Sequence, residues 1–470
     1  MEMYDDKFHD ECGVMGIFSN DNKNVSQLIY YGLYALQHRG QESAGIAVSN
    51  GEKIEYRKDQ GLVAEVFNNE NLKALKGFSG IGHVRYSTTG DSLAVNAQPL
   101  VVNYKNSGFA LGHNGNLVNA SEIREMLEDE GVIFQTTIDT EVIANLLARN
   151  LSKGIEQALT QVTGIVKGAY ALVIQTDKEL IGLRDPHGLR PLCLGKIDET
   201  YVLASESCAL DTIGATFIRD IDPGEIIIIN KEGVNSIKSK RWCKKASCIF
   251  ELIYFARPDS VLDGINANSY RYKTGRILAK IDEGLKADRV IPVPDSGIPA
   301  AIGYSEASGI PFGIGLIKNR YIGRTFIQPT QELREQGVLI KLNVLKKNVE
   351  GKRVVIIDDS IVRGTTSRRI VKLLRDAGAL EVHFRVSSPP VQYPCHFGID
   401  TPTRDQLIGA TKTVEEIRQM IGADSLKFLS EEGMLQATAG KNGFCKACFD
   451  GDYPMEVPIE GSKMQFEKME

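Results

Sequence analysis

The sequence predicts two folded units in tandem, an α+β layered domain followed by an α/β domain built on a parallel sheet. Three observations predict this. The chain has 470 residues, too many for one ordinary domain and enough for two or three with full cores. Up to about residue 240, many strand-like segments occur with few helical ones between them, the pattern of stacked layers. From about Cys248 strands and helices alternate, the mark of a parallel sheet. Within that second half, Val354-Val355-Ile356-Ile357 reads as a strand buried on both faces, and Asp358-Asp359 follows at its carboxyl end, where open α/β sheets bind ligands.

Composition narrows the function classes. Apolar runs such as residues 226–229 are strand length and far short of a membrane span. The first residues, MEMYDDKFHDE, are acidic and lack an apolar core, so they are no signal or transit peptide, and a cytoplasmic location is expected. A net charge of −5 and a pI near 5.9 argue against a broad nucleic-acid surface. The basic stretch 238–245 is read as a solvated linker. Eight cysteines in a chain without a secretory signal are expected to be buried, catalytic or metal-bound rather than paired as disulfides.

Taken in order, the first half opens with a thiol, Cys12, running into a glycine-punctuated strand over residues 12–18. Helical patterns follow at 25–37, 121–130 and 140–150, and strands at 43–48, 80–86, 109–113, 169–174 and 225–229. By itself Cys12 reads as an inert small hydrophobe. Its polar neighbours change that: His38-Arg39-Gly40-Gln41-Glu42, Gly82-His83-Val84-Arg85-Tyr86-Ser87-Thr88, His113-Asn114-Gly115-Asn116 and Asp139-Thr140-Glu141 lie between apolar segments. In order and wording these resemble the glutaminase domain of class II glutamine amidotransferases, which has the αββα N-terminal-nucleophile hydrolase fold.

The resemblance implies roles residue by residue. Cys12 would attack the glutamine side-chain amide, Arg85 and Asp139 would hold the substrate's α-carboxylate and α-amine, and Asn114 with the backbone N–H of Gly115 would form the oxyanion hole. Each suits its task, a fork of donors for a carboxylate and aimed donors for a tetrahedral oxygen. Members of this family use the free α-amine of the nucleophilic cysteine as general base, a group that titrates near about 8. Cys12 is internal, so residues 1–11 are expected to be a propeptide cleaved before it. His38, His83 and His113 are read as structural.

In the second half, Phe255-Ala256-Arg257-Pro258-Asp259-Ser260 is a motif without an assigned role. Residues 289–293 form a short strand ending in Pro294-Asp295-Ser296-Gly297, a turn able to offer N–H groups and a hydroxyl to an anion. A helix begins near residues 300–304. Lys318-Asn319-Arg320-Tyr321-Ile322-Gly323-Arg324 reads by default as a solvated loop. After the strand at 354–357, the turn Gly364-Thr365-Thr366-Ser367 leads into a helix from Arg368 to a stop at Gly378. Such a turn presents N–H groups and the positive end of a helix to a phosphate, while two acids before it can grip a diol or a Mg²⁺. An acidic strand end of the Walker B kind is the plain alternative, but the chain has no G-x-x-x-x-G-K-[ST] loop.

The wording Ile356-Ile357-Asp358-Asp359-Ser360-Ile361-Val362-Arg363-Gly364-Thr365-Thr366-Ser367 resembles the phosphoribosyl pyrophosphate (PRPP) motif of type I phosphoribosyltransferases. That resemblance implies that Asp358 and Asp359 hold the ribose hydroxyls, that Arg363, Gly364, Thr365, Thr366 and Ser367 hold the 5′-phosphate, and that one Mg²⁺ per subunit sits near Ser296, Asp358 and Asp359. The 318–330 segment would close over PRPP, with Lys318, Arg320 and Arg324 on the pyrophosphate.

Phe444-Cys445-Lys446-Ala447-Cys448 is a C-x-x-C compatible by itself with zinc, redox chemistry or neither. The surroundings of Cys248 and Cys395 are similar to cluster-bearing members of the combined family, the glutamine-PRPP amidotransferases. The resemblance implies one [4Fe–4S] cluster per subunit on Cys248, Cys395, Cys445 and Cys448, with tetrahedral zinc as the alternative. Cys193, Cys208 and Cys243 are then structural. Domains are expected at 12–240 and 241–457, with a polar tail at 458–470.

Together the halves imply a glutamine-dependent transfer of ammonia to C1 of PRPP, the entry step of purine synthesis. The family also implies feedback by purine nucleotides and a homodimer or homotetramer, while charge and the short apolar runs lead to the expectation of no nucleic-acid or membrane partner. Two rivals are a PRPP-sensing regulator, which leaves the glutaminase half without a use, and a glutaminase serving another acceptor such as a sugar phosphate, which the Asp358–Ser367 stretch opposes.

Overall fold

The computed structural model describes residues 11–86, 93–104, 107–238, 243–319 and 342–458. In the first unit two antiparallel sheets face each other. One has seven strands in the order Thr216–Asp220, Cys193–Ile197, Thr200–Ala204, Gly13–Ser19, Ser79–Arg85, Ser43–Ser49 and Ile54–Gln60. The other has six, in the order Gly233–Lys238, Glu225–Asn230, Leu180–Arg184, Gly168–Thr176, Ser107–Leu117 and Leu100–Tyr104.

Side-chain alternation along a strand explains the layering. Val14 and Phe18 point to the second sheet and pack with Ala110, Val173 and Ile227, whereas Met15 and Ile17 point outward against Ile29 and Leu33 of the helix Ser26–Ala35. The helices Ala120–Asp129, Thr140–Asn150 and Ile155–Ile165 cover the outer face of the second sheet. Both faces of the central strands are therefore dry, and each fully buried aliphatic or aromatic side chain contributes about 1.5–3 kcal/mol. The result is the expected αββα arrangement. His83 crosses it, its Nε2 lying 2.9 Å from the carbonyl oxygen of His113 on the facing sheet.

The second unit holds a four-stranded parallel sheet in the order Arg289–Pro292, Arg353–Asp358, Glu381–Val386 and Ser425–Phe428. Val355 and Ile357 face the helices Ala267–Lys280 and Ile298–Ser308; Val354 and Ile356 face Thr365–Asp376 and Val414–Ile421. The first helix pair approaches to backbone contact, since a Cβ at Gly275 would stand 1.8 Å from the Ala300 oxygen and one at Gly303 2.0 Å from that of Tyr272.

Two expectations need correction. The helix after the acidic pair starts at Thr365, not Arg368. Gly364 alone makes the turn at φ +80°, so Thr365, Thr366 and Ser367 lie in the first helical turn. The basic stretch 238–245 is not simply solvated where it is described, because Lys245 pairs with Asp263 at 3.3 Å and the Lys244 carbonyl bonds His187 Nδ1 at 2.8 Å.

Buried charges join the units. Arg39 donates to Glu206 at 2.6 Å and to both oxygens of Glu251 at 2.8 and 3.0 Å. Ser260 Oγ and the Arg257 N–H donate to the other Glu206 oxygen at 2.6 and 2.9 Å. The 255–260 motif is thus a docking element. Arg184 grips Asp263 with two bonds of 2.9 and 3.0 Å. Among the described residues no helix is long and apolar enough to cross a membrane.

Candidate active sites

Cys12 is buried at the start of the strand Gly13–Ser19, with its Sγ 3.3 Å from the Tyr86 carbonyl oxygen. Burial pushes its thiol up to about 11; Arg85 acts against that rise, and Glu42 and Asp139 add to it. Those three residues therefore lie close enough to influence the Cys12 thiol. Arg85 ends the strand Ser79–Arg85, and Asp139 precedes the helix Thr140–Asn150, where its Oδ2 accepts from the Leu117 N–H at 2.9 Å. Burial works against ionisation of Asp139, but His113 and its hydrogen bonds hold the carboxyl below the usual range.

Asn114 and Gly115 lie on the strand Ser107–Leu117 of the facing sheet. Asn114 is 1% exposed, and its Nδ2 has no hydrogen-bond partner among the described residues. A buried donor left without a partner costs about 1–3 kcal/mol, so its retention suits a group that bonds a reacting substrate. Gly115 has φ +145°, and a Cβ there would stand 2.0 Å from the Ala169 oxygen, so only glycine fits.

Asp358 and Asp359 are each 1% exposed at the carboxyl end of their strand. The Asp359 N–H donates to Asp358 Oδ1 at 2.9 Å, Ser360 Oγ donates to Asp359 Oδ1 at 2.6 Å, and Ser296 Oγ donates to Asp359 Oδ2. Ser296 and the Asp358-Asp359 pair thus meet at two adjacent strand ends. The helix Thr365–Asp376 begins beside it with no acidic residue in its first turn, which leaves its N-terminal N–H groups and positive dipole end suited to an anion. Arg363 donates to Gln406 at 3.0 Å, and Lys318 sits 3.3 Å from Asp295 at the rim. Arg320 and Arg324, like Ser87 and Thr88, lie outside the described residues.

Cys248, Cys395, Cys445 and Cys448 line one cavity with Leu189, Arg190, Phe397 and Tyr453. Local structure brings them there: residues Ser247–Cys248 and Phe444–Cys445 pair as parallel strands with Cys248 beside Cys445. Burial pushes all four thiols up, Cys445 to about 12. Among the described residues no group of three or more His, Cys, Asp or Glu is placed to hold a metal ion. Cys193 and Cys208 are fully buried elsewhere.

Sequence reading missed Glu206, Glu251 and Arg190, which meet between the units. Arg190 Nη1 lies 3.4 Å from Glu251, and its Nε donates to the Phe397 carbonyl at 2.9 Å. A charged residue within an apolar segment, such as Glu251 in Ile249-Phe250-Glu251-Leu252-Ile253, was the available signal.

Comparison with known proteins finds both domains. Residues 83–212 match the family described as a glutamine amidotransferase domain, and residues 267–388 a phosphoribosyl transferase domain. An amidophosphoribosyltransferase of Bacillus subtilis is 52% identical over 96% of this chain and 95% of its own. That of Archaeoglobus fulgidus is 52% identical over 96% and 99%. A solved B. subtilis glutamine PRPP amidotransferase, complexed with ADP and GMP, superposes with a TM-score of 0.90 at 52% identity, covering 96% of this chain and 99% of that one. Another structure, of the allosteric regulatory enzyme of purine biosynthesis, does so with the same TM-score and identity over 96% and 97%. With both domains in this order and half of its residues shared along nearly its whole length, the chain belongs to the amidophosphoribosyltransferase family.

Proposed function

We propose that this amidophosphoribosyltransferase joins a glutaminase site at Cys12 to a phosphoribosyl site at Asp358 and Asp359, within units spanning residues 12–240 and 241–457. The overall reaction is glutamine + PRPP + water → 5-phosphoribosylamine + glutamate + pyrophosphate, the first step of de novo purine synthesis. The observation that carries the assignment is the buried Asn114 Nδ2, without a hydrogen-bond partner among the described residues, in the unit that encloses Cys12.

Cys12 Sγ attacks the glutamine amide carbon while Arg85 and Asp139 fix the substrate's charged end. Asn114 Nδ2 and the Gly115 N–H take the negative oxygen. A thiol held near 11 is protonated at neutral pH, so attack needs a base; the α-amine of Cys12, freed by removal of residues 1–11, fills that role and returns the proton to departing ammonia. Water then hydrolyses the thioester to glutamate. At the second site Asp358 and Asp359 hold the ribose hydroxyls and Arg363 to Ser367 the 5′-phosphate, while Lys318, Arg320 and Arg324 are the residues assigned to bind the pyrophosphate. Ammonia adds to C1 as pyrophosphate leaves.

The oxygen donors of Ser296, Asp358 and Asp359 suit a hard cation, and a Mg²⁺ there, one per subunit, would neutralise the leaving pyrophosphate. The four cysteines line one cavity and offer four thiolates, the donor set of a [4Fe–4S] cluster, with tetrahedral zinc as the alternative. Such a cluster would fasten the C-terminal segment to the interface between units. Purine nucleotides as inhibitors, a homo-oligomeric state and a cytoplasmic location complete the reading.

Cys12→Ala tests the first site: glutamine-dependent pyrophosphate release should vanish while ammonia-dependent release persists. Loss of both together would mean that Cys12 does not define a separate glutaminase site. For the cysteines, protein prepared anaerobically should contain iron and acid-labile sulfide in equal amounts, about four of each per chain. A single zinc with no sulfide would replace the cluster by the alternative.

A further inference from the structure

The oxyanion hole assigned above to Asn114 and Gly115 does not stand on its own unit alone. Gly115 is pressed on one side by the Ala169 carbonyl, and on the other by residues 395–399 of the second unit. A Cβ added to Gly398 would stand 3.0 Å from the Gly115 carbonyl carbon, 3.1 Å from its Cα and 3.2 Å from Arg190 Nη2. Gly398 has φ +105°, so its conformation also favours glycine. Next along the hole, Asn116 Nδ2 donates to the His396 carbonyl at 3.0 Å. The segment is itself pinned: Arg190 Nε holds the Phe397 carbonyl at 2.9 Å, the Cys395 N–H donates to Thr401 at 2.7 Å, and the buried Phe397 ring packs with Ala169 and Leu189.

We propose that residues 395–399 of the phosphoribosyl unit complete the glutaminase oxyanion hole, with Gly398 and Asn116 as positioning residues for the Gly115 N–H. The inference rests on the assignment of that hole. Its physical basis is that transition-state stabilisation depends on donors held in place before charge develops, so a shift of a few tenths of an ångström in the Gly115 peptide weakens it. Gly398 has no side chain to offer, and its contribution is a backbone surface set against another backbone. The consequence is functional: the glutaminase is competent only when the second unit is seated, so ammonia is not released by a chain whose acceptor site is out of place.

The test uses the full-length protein. Gly398→Ala adds a methyl toward Gly115, and Asn116→Ala removes the bond to His396 without adding volume. For each, glutamine hydrolysis gives kcat and KM, iodoacetamide gives the alkylation rate of Cys12, and ammonia-dependent pyrophosphate release reports on the second site. The expected result is a fall of about tenfold or more in glutaminase kcat, with KM for glutamine, Cys12 alkylation and ammonia-dependent activity within about twofold of wild type. A merely structural contact would either leave kcat within twofold or disturb all four quantities together, and either result in the soluble variants overturns the proposal. Should Gly398→Ala fail to fold, Asn116→Ala decides alone. Asn114→Ala separates this idea from its foundation. If that variant keeps its kcat, the hole itself is misassigned; if it loses kcat and the other two variants do not, only the role of residues 395–399 fails.

Discussion

Cys12 and the acidic pair illustrate how burial assigns work to single residues. The thiol is kept protonated by its dry surroundings, which protects it from stray electrophiles but makes a nearby base necessary for attack. His83 is not that base. Burial pushes its imidazole down to about 3, and it is neutral at any physiological pH. At the other site Asp359 accepts from Ser296 and Ser360, so its two oxygens are already oriented before substrate arrives. Asp359→Asn replaces one charged acceptor oxygen by a donor while keeping shape. A hydrogen bond to a charged group is worth about 1.5–3 kcal/mol, so ammonia-dependent pyrophosphate release should fall roughly 10- to 150-fold. Glutamine hydrolysis should survive in the same preparation. Comparable loss in both half-reactions would indicate that the substitution disturbs the fold rather than the phosphoribosyl site.

At the level of elements, legibility in the sequence follows from how local the causes are. The strand Arg353–Asp358 announces itself because both its faces are covered, leaving an unbroken apolar run, and because the two acids fall where that run ends. The layered first unit is readable for a related reason: Gly13–Ser19 is buried throughout, and strands outnumber helices around it. The start of the helix Thr365–Asp376 is not legible because a single glycine at positive φ replaces a longer turn, and backbone angle is invisible in residue type. What sequence could not give is pairing across distance. Arg39 meets Glu206 and Glu251 at separations of 167 and 212 residues. Arg39 and Glu206 read singly look like surface, and Glu251 is marked only by its apolar neighbours, which do not say what it pairs with. Nothing local in the sequence says that Gly398 faces Gly115.

On the scale of the whole molecule, the two units hold each other through buried ion pairs, and their loss should be felt first at the glutaminase. Asp263, in the second unit, accepts two bonds from Arg184 and one of 2.6 Å from Ser247, with Lys245 at 3.3 Å. Burial opposes its charge, but Arg184 and these partners hold the carboxyl well below the usual range. A carboxyl whose folded pKa is depressed contributes stability that is present above its unfolded value near about 4 and is lost as the pH falls toward the folded value. Asp263→Asn should therefore lower the melting temperature near neutral pH and flatten the acid limb of the stability profile. Removing one partner of a buried pair costs about 3–5 kcal/mol. The position of the damage matters more than its size. Arg184 and Asp263 fasten the same interface that carries residues 395–399 to Gly115, while the strand ends bearing Ser296, Asp358 and Asp359 lie within the second unit and do not depend on it. Warming near neutral pH should thus abolish glutamine-dependent turnover in Asp263→Asn at a point where ammonia-dependent turnover continues, with the interval between the two losses wider than in wild type. Parallel decay of both activities, in variant and wild type alike, would mean that the units unfold as one body and that the interface does not set the competence of the glutaminase.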